Sequence, residues 1–199
     1  MTRTLLKSRL AKNTDGVTVV EFAIVAPVLV LMIMGMFDLG HQLYATSVMQ
    51  GSLQQASRSS TLETGASQTA TIDTQLTDRL KDISPNATVV ITRKNYQNFT
   101  DITLPENWTD GDSDGICNNG EPFEDVNYNG TWDTDRGRTG AGGARDAVLL
   151  TAVMTYDRLF PMTGLIGLPT QVTVAGTTVL RNQPYNEHAD RVPVIVNCV

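Results

Sequence analysis

From Val17 to Phe37 the chain reads VTVVEFAIVAPVLVLMIMGMF, an apolar run whose single charge is Glu21 and which meets its next charge at Asp38. About 20 predominantly apolar residues are enough to cross a bilayer as a helix, so this run predicts a membrane anchor. Pro27 lies inside it, and membrane helices tolerate proline where neighbouring groups satisfy the freed carbonyl. Arg3, Lys7, Arg9 and Lys12 precede the run against Asp15 alone. Basic flanks stay on the cytoplasmic side, so the amino end is expected to face in. A conventional secretory signal is the competing reading, but its apolar core of about 7 to 15 residues leads into a small-residue cleavage site. Here the run is longer, carries Glu21 near its start, and passes into Met32, Ile33, Met34, Gly35, Met36 and Phe37 without such a site.

An ionised carboxylate is costly to hold in hydrocarbon, which makes Glu21 a functional suspect. The string Gly16-Val17-Thr18-Val19-Val20-Glu21-Phe22, followed by Ala23, Ile24, Val25, Ala26 and Pro27, resembles the processing and anchor motif of TadE-like pseudopilins. These are minor type IV pilin-like proteins of the bacterial tight-adherence (Flp pilus) machinery. The resemblance is specific over about residues 15 to 50 and loose beyond. It implies that a prepilin peptidase cuts between Gly16 and Val17, with Phe22 at the family's aromatic position. It also implies other pilin or pseudopilin subunits and the assembly machinery as partners, and the bacterial inner membrane as the site of insertion. Glycine suits the position before the cut because it leaves an extended backbone unobstructed. Removing the leader, +3 in charge, takes the formal charge from −6 to −9. The freed amine of Val17 then lies about one helical turn from Glu21, and the two charges can pair within a subunit or between staggered subunits. The other reading leaves Glu21 hydrated at headgroup level, since it is only some 6 Å deep at about 1.5 Å per residue.

Past the membrane the helix is expected to continue. Leu39, Leu43, Thr46, Met49, Leu53 and Ala56 recur at steps of three and four, one face that buries against its own domain or forms an intersubunit seam. Gly65 is the expected stop, and Ile72, Leu76, Leu80 and Ile83 predict a second short helix ending at Ser84-Pro85. Residues 87–92, 147–156 and 171–180 are rich in β-branched residues and predict strands. The fold class expected is α+β: a long amino-terminal transmembrane helix running into a pilin-like domain with a small antiparallel sheet. The division expected is a leader over 1–16, an anchor over 17–38, a helical continuation over 39–64 and a domain over 65–199. Residues 159–169, LFPMTGLIGLP, form an apolar loop too short to span a bilayer, available to cover the sheet edge or meet a partner.

The domain is expected to carry an acidic insertion over 105–143. It holds Asp110, Asp112, Asp114, Glu121, Glu124, Asp125, Asp133 and Asp135 with no basic residue before Arg136, a concentration of like charge that repels itself unless a cation intervenes. Asp110, Asp112, Asp114, Gly115 and Glu121 match the calcium loop of an EF-hand at every specified position. In such a loop the Ile116 carbonyl also ligates, Asn118 acts directly or through water, and Glu121 closes the shell with both oxygens. Asp125, Asn127, Asn129 and Gly130 begin a second copy, with Thr131 at the carbonyl position and Asp133 at the ninth. Arg136 stands at its twelfth position, where an acid belongs, so this loop borrows Asp135, Glu124 or a water, or binds weakly. Calcium is thus the cofactor expected, with one site and a second possible. Pro105, Pro122 and the glycines at 137, 140, 142 and 143 break any flanking helices, which places the loop in a β-rich insertion rather than an EF-hand domain.

Cys117 and Cys198 are the only cysteines, and outside the cytoplasm they are expected to pair. His41 and His188 fall in no constellation with a nucleophile and an acid, which gives catalysis no support. The acidic mature chain argues against nucleic acid as a partner. Two functions remain: a TadE-like minor pilin or pseudopilin, with its domain periplasmic or in an extracellular pilus, or a singly anchored, calcium-stabilised surface adhesin that never polymerises.

Overall fold

The computed structural model describes residues 17–62, 67–160, 164, 167, 169–184 and 191–199. The leader with Gly16, the expected stop at Gly65, and His188 lie outside the described residues.

Helix α1, Val17–Ser60, is 44 residues long and includes Pro27. At about 1.5 Å per residue it reaches some 66 Å, about twice the hydrocarbon thickness of a bilayer. Its most apolar stretch has no part buried in protein, and Phe22, Ile24, Met32 and Met36 stand exposed. A water-facing helix needs a polar face, so an apolar surface with no protein cover has the composition of a lipid-facing helix.

The chain divides into two compact units, Met1–Leu43 with Arg158–Thr170, and Tyr44–Asp157 with Gln171–Val199. In the first, the buried carboxylate of Asp38 accepts a hydrogen bond from Arg158 Nη1. Arg158 also closes its own loop: its backbone N–H donates to the Thr170 carbonyl and its Nε to the Pro169 carbonyl, both at 2.9 Å. The apolar loop over 159–169 thus begins beside the first charge after the span.

The second unit carries the core. Helix α2 (Thr69–Lys81) turns Ile72, Leu76 and Leu80 inward. Strands β1 (Thr88–Tyr96), β3 (Arg138–Thr139), β4 (Ala147–Asp157) and β5 (Gln171–Arg181) form an antiparallel sheet in the order β3-β1-β4-β5. Alternate residues of β4, Val148, Leu150, Ala152, Met154 and Tyr156, are buried with Val172 and Val174 of β5 and with Ala45, Met49, Leu53 and Ala56 of α1. The helical stripe therefore begins at Ala45, whereas Leu39 and Leu43, expected on the buried face, remain exposed. Helix and sheet approach closely at Gly176, where an added Cβ would lie 2.6 Å from Leu53 Cδ1.

The strands expected from β-branched composition all form, with β1 extending four residues further to Tyr96. Two short strands, β2 (Pro122–Asp125) and β6 (Val194–Asn197), pair in a separate two-stranded sheet that joins the insertion to the carboxyl tail.

Candidate functional site

The insertion contains two loops of the same internal construction. In the first, the Gly115 N–H donates to Asp110 Oδ2, the Asp114 N–H to Asp112 Oδ1, and the Ile116 N–H to Asp114 Oδ1. In the second, the Gly130 N–H donates to Asp125 Oδ2, the Asn129 N–H to Asn127 Oδ1, and the Thr131 N–H to Asn129 Oδ1. Position by position these bonds are the same. Ser113 and Tyr128, fourth in their loops, have φ of 62° and 63°, and Gly115 and Gly130, sixth, have 78° and 76°. The first side chain of each loop accepts from the N–H five residues on, and the third and fifth each accept from the N–H two residues on, which holds the alternating side chains in place.

One carboxylate closes each loop. Glu121 accepts from the Gly111 N–H on one oxygen and from the Asn118 N–H on the other, at loop positions two and nine. In the second loop, positions two and nine are Val126 and Asp133. Their N–H groups donate to Oε1 and Oε2 of Glu106, at 2.9 and 3.1 Å. Glu106, only 1 % exposed, thus occupies the role that the spacing assigns to residue 136. Arg136 instead holds the segment that carries Glu106: its Nε donates to the Pro105 carbonyl, and its backbone N–H to the Leu104 carbonyl, both at 2.9 Å.

The two acids raised as substitutes are engaged elsewhere. Asp135 accepts from Lys94 Nζ at 2.7 Å and from the Tyr96 hydroxyl at 2.9 Å. Burial pushes its carboxyl up, but the bonds from Lys94, Gly137 and Tyr96 outweigh it and leave the pKa lowered. Glu124 accepts from Asn107 Nδ2 at 2.7 Å. Glu106 has the opposite balance: burial raises its pKa despite three backbone donors, and the neighbouring charge of Asp125 adds to the rise. Two buried acids, Glu106 and Asp125, thus stand near one another under the second loop, with Asp125 3 % exposed.

In the first loop, one oxygen from each of Asp110, Asp112 and Asp114 lies within 4.8 Å of the others, and all three residues are exposed. Asn118 Nδ2 donates to Asp114 Oδ2, while in the second loop Asn127 Nδ2 donates to Asp133 Oδ2. The donor sets are oxygen throughout, the chemistry of a hard divalent cation such as calcium rather than of zinc or copper. Sequence reading missed Glu106 because it precedes the loop it closes, and no motif spacing marks it. The one available signal was the mismatch at Arg136.

The tail fastens the first loop. Cys117 and Cys198 form a disulfide with Cα atoms 5.5 Å apart, closing a sequence separation of 81. The Cys198 N–H donates to the Glu121 carbonyl at 2.8 Å, and the Gly120 N–H to the Cys198 carbonyl at 3.1 Å. Trp132, within the second loop, meets Trp108 edge to face at 6.2 Å, and its Nε1 donates to the Glu106 carbonyl.

At the other end of the chain, Glu21 and Phe22 lie in the first turns of α1, where Phe22 is exposed. Residues 16–58 match the model of a protein family described as TadE-like protein. No curated protein and no solved structure matches the chain.

Proposed function

Since the chain is TadE-like over residues 16–58, we propose that it is a minor pilin or pseudopilin of a tight-adherence pilus, cut after Gly16 and stabilised by calcium. The family supports a Tad pilus-associated, pseudopilin-like role, and with it interaction with other pilus subunits and machinery. The single apolar amino-terminal helix fits a single-pass membrane anchor in a pilin. Such a role is structural, not enzymatic.

The observation that carries this reading is the coincidence of the matched segment with α1. The match begins at Gly16 and ends at Arg58, close to the end of the helix at Ser60. In this reading the peptidase acts on the cytoplasmic side of the inner membrane, Val17 becomes the new terminus, and Glu21 pairs with its amine. The domain then stands in the periplasm or in the filament.

Calcium would be held by Asp110, Asp112, Asp114, the Ile116 carbonyl, Asn118 and Glu121 in the first loop. In the second it would be held by Asp125, Asn127, Asn129, the Thr131 carbonyl, Asp133 and Glu106. The bound ion offsets the repulsion among these carboxylates and holds the insertion in one shape. Amino-terminal sequencing of native protein tests the processing. A chain beginning at Val17 in cells with a prepilin peptidase, and one that keeps the leader before Val17 in cells without it, is the expected result. A leader retained in both would refute the pilus role.

A further inference from the structure

Beside the second loop a groove of about 430 Å³ opens toward the β1–β3 edge of the sheet, lined among others by Lys94, Tyr128, Asn129, Asp133, Asp135 and Arg138. Its volume lies within the range of about 300 to 1,000 Å³ common to small-ligand sites. Two cations face two carboxylates, with Lys94 bound to Asp135 at 2.7 Å, so the groove has no formal net charge with which to select an ion. It nonetheless offers ammonium, guanidinium, amide and carboxylate groups within one concavity.

Tyr128 is the residue the loop itself does not require. It occupies the left-handed conformation at φ 63°, where a bulky side chain is disfavoured, and the equivalent position of the first loop meets the same demand with Ser113 at φ 62°. The residue stays 40 % exposed and its ring is fixed in two ways. Its hydroxyl donates to the Val192 carbonyl at 3.0 Å, and the Arg138 guanidinium lies 5.7 Å from its centroid. A strained position that holds an ordered, partly exposed aromatic is the kind of outlier from which a binding role can be inferred.

We propose that this groove binds a neutral glycan. A pyranose has an apolar C–H face that stacks on an aromatic ring, and hydroxyls that both donate and accept. Tyr128 supplies the ring, Asp135 accepts from hydroxyls, and Lys94 and Arg138 donate to them. Free ions gain little from a groove with balanced charge, and purely apolar ligands would leave its polar groups unpaired. The proposal rests on the calcium reading to the extent that Asn129 and Asp133 also belong to the second loop.

Full-length protein in lipid nanodiscs, saturated with calcium, is to be screened against an array of neutral oligosaccharides built from glucose, galactose, mannose and N-acetylglucosamine. At least one is expected to bind in the millimolar range or tighter. Tyr128→Ser, which copies the first loop, is expected to weaken that binding by about tenfold or more, and Arg138→Gln to weaken it less. Calorimetric heats of calcium binding on the same proteins keep the two readings apart: both variants are expected to retain them. No neutral oligosaccharide bound below about 10 mM, or binding unaffected by Tyr128→Ser, would overturn the proposal. So would retention of polyuronates alone with strong salt dependence, since that identifies an electrostatic patch.

Discussion

At the residue scale, Glu106 is the most consequential side chain in the insertion. Buried at 1 % exposure, it receives the N–H groups of Val126 and Asp133 as Glu121 receives those of Gly111 and Asn118. If each acid completes its own loop, removing the charge from one should affect only that loop. Calcium titration of Glu106→Gln is expected to keep the first-loop binding event and weaken the second by at least about tenfold, with Glu121→Gln doing the reverse. Equal loss in both variants would mean that the loops act as one site. Gly176 makes a different demand. A Cβ there would meet Leu53 Cδ1 at 2.6 Å and Met49 Cγ at 3.1 Å, where the helix packs directly on the sheet. Gly176→Ala is expected to destabilise the domain by about 1 to 3 kcal/mol, read as a lower denaturant midpoint at unchanged slope.

At the element scale, the elements legible in the sequence were those whose pattern runs long enough to declare a period. Helix α1 and strands β1, β4 and β5 have this property, since apolar length or β-branched alternation marks each over several residues. Strands β2 and β6 cover four residues each and β3 two, too short for a period; β3 pairs with β1, and β2 and β6 pair only because the tail returns to the insertion. The buried stripe of α1 was misjudged at its start for a related reason. Leu39 and Leu43 continue the spacing of Met49 and Leu53, but the sheet takes up the helix face only from Ala45 onward. The calcium-loop-like spacing at Asp110 to Glu121 was readable because its carboxylates are local in sequence. Glu106 was not, because its loop is closed from the preceding segment.

Strand β2 is anchored by the buried Phe123, but β6 buries none of its own residues and pairs with β2, so the disulfide beside it is expected to brace the tail. Linking residues 81 apart removes about 4 to 5 kcal/mol of chain entropy from the unfolded state in the loop-closure model. Cys117→Ser with Cys198→Ser is expected to cost about 2 to 5 kcal/mol and to speed amide exchange over residues 194–198 before it reaches β4. Uniform acceleration across the sheet would instead place the tail inside the global folding unit.

At the scale of the whole molecule, the hydrophobic core and the insertion are stabilised by different physics. The core joins α1, α2, β4 and β5 through buried apolar contacts that owe nothing to ions. The insertion concentrates carboxylates whose mutual repulsion is relieved by backbone N–H donors and, in the proposed function, by calcium. Removing calcium should therefore act locally. Hydrogen exchange of the full chain in nanodiscs, with calcium or with a chelator, is expected to show lost protection at Gly111, Gly115, Val126 and Gly130, whose N–H groups are bonded to loop carboxylates. Leu150, Ala152 and Val174 should stay protected in both conditions. The apparent melting temperature should rise with calcium according to mass action, in steps set by site affinities that extracellular modules place at about 0.1 to 1 mM. High salt without calcium distinguishes the ion from general screening: it weakens repulsion between exposed charges but supplies no ligand field to the buried pair at Glu106 and Asp125. If sodium chloride restores protection at Val126 and Gly130 as fully as calcium does, the loops are acidic turns relieved by ionic strength, and the calcium part of the proposed function fails while the pilus part stands.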